Sequence, residues 1–141
     1  WLVGAPNLAV LEGLVRVVFV AVEGLHHLLV AAIRACEYGI SVRSGCFCAH
    51  PLIKSFLEVS PDQEREFEQR IRLGDRSDVP GGVRVSIGLH NTAEDVDRFL
   101  LALEVIADGT WKGEYAQNIV TGEYGPKGFV FGFGNCPDFP D

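Results

Sequence analysis

Residues 25–43 read LHHLLVAAIRACEYGISVR, and the spacing of their apolar positions changes at Gly39. Leu25, Leu28, Leu29, Ala32, Ile33 and Cys36 recur at three- and four-residue spacing, which places them on one helical face. Gly39 stands where a helix C-terminus favours a left-handed residue, and Ile40-Ser41-Val42-Arg43 then reads as a short strand. Upstream, residues 14–22 (LVRVVFVAV) are rich in β-branched and aromatic types, as a buried strand is. Strand, helix and strand thus follow in order. The expected fold class is α/β, in the α+β two-layer sense: a small mixed sheet of three or so strands with helices mainly on one face.

The rest of the chain extends this unit. Pro51 suits a first helical position, and Leu52, Ile53, Phe56 and Leu57 give a short helix its apolar face. Ser60-Pro61-Asp62-Gln63 is a capping box. The helix it starts, to about Leu73, has few apolar positions (Phe67, Ile71), which marks a surface insertion. A loop over 74–82 contains Pro80. Val83, Val85 and Ile87 then alternate with Arg84, Ser86 and Gly88, the period of a half-buried strand. Thr92 with Asp95 caps a further helix, whose apolar positions are Val96, Phe99, Leu100, Leu103 and Ile106. After Asp108, glycines alternate with Trp111, Tyr115, Tyr124, Phe129, Phe131 and Phe133. Such a tail holds no long helix, and its aromatics must pack on this domain or on a partner.

Composition narrows the function classes. With 141 residues, 48% of them hydrophobic and 22% charged, the chain is long enough for one domain with its own core. A net charge of −7 argues against nucleic acid, and the basic residues from Arg65 to Arg76 are interleaved with Glu66, Glu68 and Asp75. The apolar region 8–35 is broken by Glu12, Arg16, Glu23 and the His26-His27 pair, so no membrane span is expected. The start at Trp1 has neither an initiator methionine nor a charged segment ahead of an apolar one. That reads as no secretory signal and as a piece of a longer chain. Four cysteines, at 36, 46, 48 and 136, are irregularly spaced, so a reduced, cytoplasmic protein is expected.

Chemistry concentrates in residues 43–51, RSGCFCAHP. Cys46 and Cys48 lack the Cys-x-x-Cys spacing of a zinc site, and His50 would be a third ligand without a fourth, so no metal is expected. A disulfide between such near neighbours is strained. Cys36 and Cys46 read as buried small hydrophobes. Cys48 lies in a glycine-containing loop ahead of the helix that Pro51 starts, with Arg43 and His50 adding positive potential. Those conditions lower a thiol's pKa and make a nucleophile, so packing and reactivity both stay open for it. Arg84 points away from the apolar face of its strand. It is either solvated surface or a guanidinium fork for a carboxylate. Packing or surface roles are the default for His26 and His27, and His90 reads as part of a helix entry.

Three segments carry a family resemblance: VEGLHH (22–27), GISVRSGCFCAHP (39–51) and GGVRVSIGLHNTAEDVDRFLLAL (81–103). Together, over about residues 14–108, they resemble the C-terminal small domain of class V aminotransferase-type enzymes, and among these the cysteine desulfurases, pyridoxal-phosphate enzymes of fold type I. The resemblance implies that Cys48 attacks the sulfur of an L-cysteine substrate, leaving an enzyme persulfide and releasing L-alanine, with the sulfur passing to an acceptor. It implies that Arg84 binds the substrate's α-carboxylate and that Arg43 shapes the loop beside it, with His50 in support. Many desulfurases of this group carry two histidines where this chain has Cys46-Phe47, and GCFC also resembles molybdenum-cofactor sulfurases, which leaves the acceptor open. The stretch 54–81 is longer than the shortest family members need.

The family's Schiff-base lysine, pyridine-nitrogen aspartate and phosphate cradle belong to a large domain without counterpart here, and Lys54, Lys112 and Lys127 fall outside any matching motif. This chain alone is therefore expected to bind no cofactor and to turn over no substrate. The expected organisation is a small domain over 1–108, with an insertion at about 54–81, and a glycine- and aromatic-rich tail over 109–141. A reading from a different class takes the domain as a non-catalytic binding module, self-associating as a homo-oligomer such as a homodimer through its open face and tail. Within the family, aminotransferases, epimerases and lyases are the remaining alternatives.

Overall fold

In the computed structural model, which describes residues 2–3, 17–48 and 50–128, the strand-helix-strand unit is present but its two strands do not touch. The first part of the expected 14–22 strand, the tail aromatics Phe129, Phe131 and Phe133, and Cys136 lie outside the described residues. β1 (Leu2–Val3), β2 (Val17–Val20), β3 (Arg43–Gly45) and β4 (Gly82–Ser86) form a sheet of order β1-β2-β4-β3. β4 slots between β2 and β3 and pairs antiparallel with both. The α/β two-layer class is as expected, and each described pairing in the sheet is antiparallel because β4 splits the parallel unit. β3 begins at Arg43 rather than Ile40. Ile40 and Val42 pack on the core outside the ladder, which starts only where β4 runs alongside.

The core lies on one side of the sheet. Val20 and Val83 meet Val30 and Ile33 of α1 (His27–Tyr38) and Phe99 and Ile106 of α4 (Ala93–Ala107). His26 caps α1, its Nδ1 accepting from the Leu28 N–H at 3.3 Å, and Gly39 closes the helix at φ +65°. The buried stripe of α1 is His27, Val30, Ile33 and Arg34, so Cys36 is exposed, which corrects its reading as a buried hydrophobe. Arg34 is fully buried. Its guanidinium lies 3.6 Å from the Phe99 ring centroid and donates to the Phe99 carbonyl at 3.2 Å, while burial lowers its pKa to about 10. Burial likewise lowers His27 to about 4, and the neutral ring lies 2.9 Å through Nε2 from the Val79 carbonyl. That contact ties the start of α1 to the loop feeding β4.

On the other side of the sheet lies the short α2 (His50–Phe56). α3 (Pro61–Arg72) carries the expected Ser60–Gln63 capping box and no buried residue, so it stands at the surface. The Thr92–Asp95 box caps α4 as expected, and α4 buries Phe99, Ala102 and Ile106. Among the described residues no helix is long and apolar enough to cross a membrane.

After α4 the chain returns to α1 and forms a hairpin of β5 (Tyr115–Gln117) and β6 (Tyr124–Pro126). Trp111 and Tyr115 pack against the core. Glu37, in the last turn of α1, accepts from the Gly113 N–H at 2.8 Å, from the Lys112 N–H at 3.1 Å and from the Tyr115 hydroxyl at 3.2 Å. Burial raises the carboxyl's pKa, but these donors outweigh it and hold the group below its ordinary value of 4.5. Because the folded pKa is depressed, the stabilisation is present above about pH 4.5 and is lost as pH falls through the folded value. Glu37→Ala is expected to cost about 1 kcal/mol at neutral pH, a modest value because the site is largely screened by solvent. Thermal melts of wild type and variant should converge as the pH falls below about 4.5 and through the depressed folded value. A gap that stayed constant with pH would show that Glu37 does not act through its charge.

Candidate functional site

Alternation along β2 and β4 sends Val18, Val20, Val83 and Val85 to the core and leaves Phe19 and Arg84 on the opposite face. Register then sets three side chains in a row across three strands. Phe19 is the partner of Arg84, and Arg84 is the partner of Arg43. Arg43 is exposed and Arg84 half-buried, with its Nε buried and without a hydrogen-bond partner. Among the described residues no carboxylate forms an ion pair with either arginine. Like charges directly opposite each other destabilise a sheet, and an unsatisfied buried donor costs roughly 1–3 kcal/mol. Both costs fall if an anion binds there.

The loop after β3 is set beside this row. Gly45 has φ +125°, and Phe47 and Cys48 follow at +51° and +61°, a left-handed pair with no glycine in it. Such residues cost on the order of 1 kcal/mol each and persist only where their surroundings hold them. The surroundings are aromatic. The Phe47 ring meets Phe19 edge-on, with centroids 6.4 Å apart, and lies 5.2 Å from the Arg84 guanidinium carbon. Phe56 of α2 stacks on Phe19 at 6.3 Å. Gly82 must lack a side chain because its Cβ would lie 1.9 Å from the tip of the Phe19 ring.

The two loop cysteines part company. Cys46 is half-buried, its thiol donates to the Pro80 carbonyl at 2.9 Å, and burial pushes its pKa up. Cys48 is exposed. His50 is exposed at the start of α2 and lines a cleft of about 570 Å³ with Lys54, Glu58 and Glu64, a set that includes none of Arg43, Cys48 and Arg84. A wider groove of about 1200 Å³, lined by His26, His27, Arg70 and Tyr124 among others, does not include them either. Arg43, Cys48 and Arg84 are among the residues expected from the sequence, whereas Phe19, Phe47 and Gly82 are not. Phe19 shares the strand phase of Arg84 once the register is known; the role of Phe47 left no local signal.

The described residues do not by themselves fit pyridoxal phosphate. Lys54 is paired with Glu64 and Lys127 with Glu114, and Lys112 lies in the segment held at the end of α1 by Glu37. No lysine of the chain stands in the arginine row.

Residues 7–99 match the family Aminotransferase class-V. The chain is 38% identical over 103 residues to a probable cysteine desulfurase of Pseudomonas aeruginosa, covering 73% of this chain and 18% of that protein. It is 31% identical, over the same shares, to a probable cysteine desulfurase of Vibrio cholerae. It is also 38% identical over 69 residues to a molybdenum cofactor sulfurase of Bombyx mori, covering 45% of this chain and 8% of that protein. The chain thus spans less than a fifth of the length of these curated relatives. No solved structure matches it significantly. With a match over most of its length and relatives of this similarity, the chain belongs to the class-V aminotransferase family, in its cysteine desulfurase-like branch.

Proposed function

We propose that this chain supplies the sulfur-accepting nucleophile and the substrate-carboxylate clamp of a cysteine desulfurase-type active site. The observation that carries this reading is the Arg43–Arg84 register pair, without a paired carboxylate among the described residues, with Arg84 against the ring of Phe47, the residue before an exposed thiol on a strained loop. Arg84 grips the α-carboxylate of L-cysteine, its orphaned Nε gaining the acceptor it lacks. Arg43 adds positive potential and holds the base of the loop. Cys48, as the thiolate, takes the sulfur atom: a sulfur–sulfur bond forms on Cys48 as the substrate's carbon–sulfur bond breaks, the bonding pair stays with the substrate carbon, that carbon takes up a proton, and L-alanine leaves. The persulfide then passes its outer sulfur to an acceptor. Cys46, turned inward onto Pro80, takes no part in that attack, and His50 supports the loop from the start of α2.

The pyridoxal phosphate that the family uses is held outside these residues, so the small domain over 1–108, with its 54–81 insertion, closes an active site completed by a further part of the protein. Residues 109–141 extend it. The proposed setting is cytoplasmic, with no nucleic acid or membrane as partner. Arg84→Ala, made in the complete gene product, is expected to raise the KM for L-cysteine about 10- to 100-fold. Steady-state alanine formation measures this, and an unchanged KM would remove Arg84 from the site.

One observation favours a second reading, that the domain self-associates through the same face. Val17, Leu52 and Phe56 are 53%, 55% and 46% exposed. Sedimentation of the 141-residue chain over a range of concentrations separates the two, since a monomer throughout leaves that face for the rest of the active site.

A further inference from the structure

We infer that Phe47 is a positioning residue: held by Phe19, its ring fixes the Arg84 guanidinium and the turn carrying Cys48 together, so that an anion drawn to the arginine arrives beside the thiol. The inference rests on the reading of Cys48 and Arg84 given above.

A guanidinium is ordinarily oriented by a carboxylate. Arg84 has none paired with it among the described residues, and its buried Nε is unpartnered. The contact the structure gives its guanidinium is the Phe47 ring, 5.2 Å from the guanidinium carbon and within cation–π range. An aromatic ring can hold the cation while leaving its hydrogen-bond donors free for a substrate, which a carboxylate would not.

The backbone of Phe47 points the same way. At φ +51° a glycine or asparagine would be easier, so a bulky aromatic stands where local preference is against it. What compensates is tertiary. The ring is seated edge-on against Phe19, which is itself stacked on Phe56 of α2. The row Phe56–Phe19–Phe47–Arg84 thereby joins α2, β2, the loop that carries Cys48, and β4. The ring that orients the arginine and the left-handed turn that carries the thiol belong to adjacent residues, so they move as one.

Competition between two alkylating agents on the 141-residue chain tests this. Iodoacetate is anionic and iodoacetamide neutral, and fragment-ion masses that separate Cys48 from Cys46, two residues away on the same peptide, report both rates at Cys48 alone. In wild type, Cys48 should prefer iodoacetate more than a free cysteine thiol does, and Arg84→Ala should erase that preference. Phe47→Leu, which keeps apolar bulk without a π face, should lower the preference roughly threefold. Phe47→Tyr should retain it. Phe47→Gly, which relieves the left-handed strain and so folds readily, should lose it as Phe47→Leu does. If Arg84→Ala erases the preference while both Phe47→Leu and Phe47→Gly keep it, the positioning role is wrong and the arginine site stands. If wild type shows no preference, the site reading falls, and this inference with it.

Discussion

With Cys48 changed to serine, the complete gene product is expected to lose persulfide formation from L-cysteine by about a thousandfold or more, because a hydroxyl cannot replace a thiolate as sulfur acceptor. Stability should hardly move, within about 0.5 kcal/mol, since the side chain is exposed and serine has the same bulk. The left-handed backbone at Cys48 is no worse for serine than for cysteine. Loss of activity with an unchanged thermal melt therefore separates chemistry from folding. Cys46→Ser is the matched control. Its thiol is hydrogen-bonded to Pro80 and raised in pKa by burial, so persulfide formation at Cys48 should survive that change.

The second large effect is structural. Gly82→Ala is expected to destabilise the chain by about 3 kcal/mol, at the upper end of overpacking costs, and to lower the melting temperature by roughly 10 °C. The added Cβ would stand 1.9 Å from Phe19 Cζ and 2.3 Å from its Cε2, so the ring must leave its place. Phe19 cannot leave without disturbing Phe47 and Phe56, which pack on it from either side. Phe19→Leu in the same chain shortens the ring and should recover part of the lost stability. A Gly82→Ala protein that melts like wild type would show that Phe19 does not lie across β4 as described.

What was legible in the sequence was local chemistry. Gly39 ends α1 because a left-handed residue is needed there, and the Ser60 and Thr92 boxes start α3 and α4 through side chains three residues apart. The outward direction of Arg84 followed from alternation along a single strand. Pairing was not legible, because β4 enters the sheet from 37 positions beyond the end of β3, counting from Gly45 to Gly82, and nothing local fixes that. The phase of α1 was blurred for a different reason. Ala31, Ala32 and Ala35 surround its axis with small apolar residues, so Arg34 rather than Cys36 could complete the buried stripe by laying its guanidinium on Phe99. The cap at His26 is not legible in the sequence because histidine is not among the usual capping residues.

The candidate site divides along the same line. Cys48, Arg43 and Arg84 stood out by residue type and position. That Arg43 and Arg84 are register partners, and that Phe47 is held left-handed between Phe19 and Arg84, depends on contacts between distant strands. Nothing in the sequence around Phe47 marks it for that reason.

The most direct measurement is the fragment-ion spectrum that places added mass on Cys48 or on Cys46, taken after the complete gene product has been given L-cysteine and quenched before any acceptor is added. The expected result is a gain of one sulfur atom on Cys48, matched by one alanine released per modified thiol and reduced when Arg84 is replaced by alanine. Alanine release with the added sulfur on Cys46, or with no sulfur on Cys48, would contradict it.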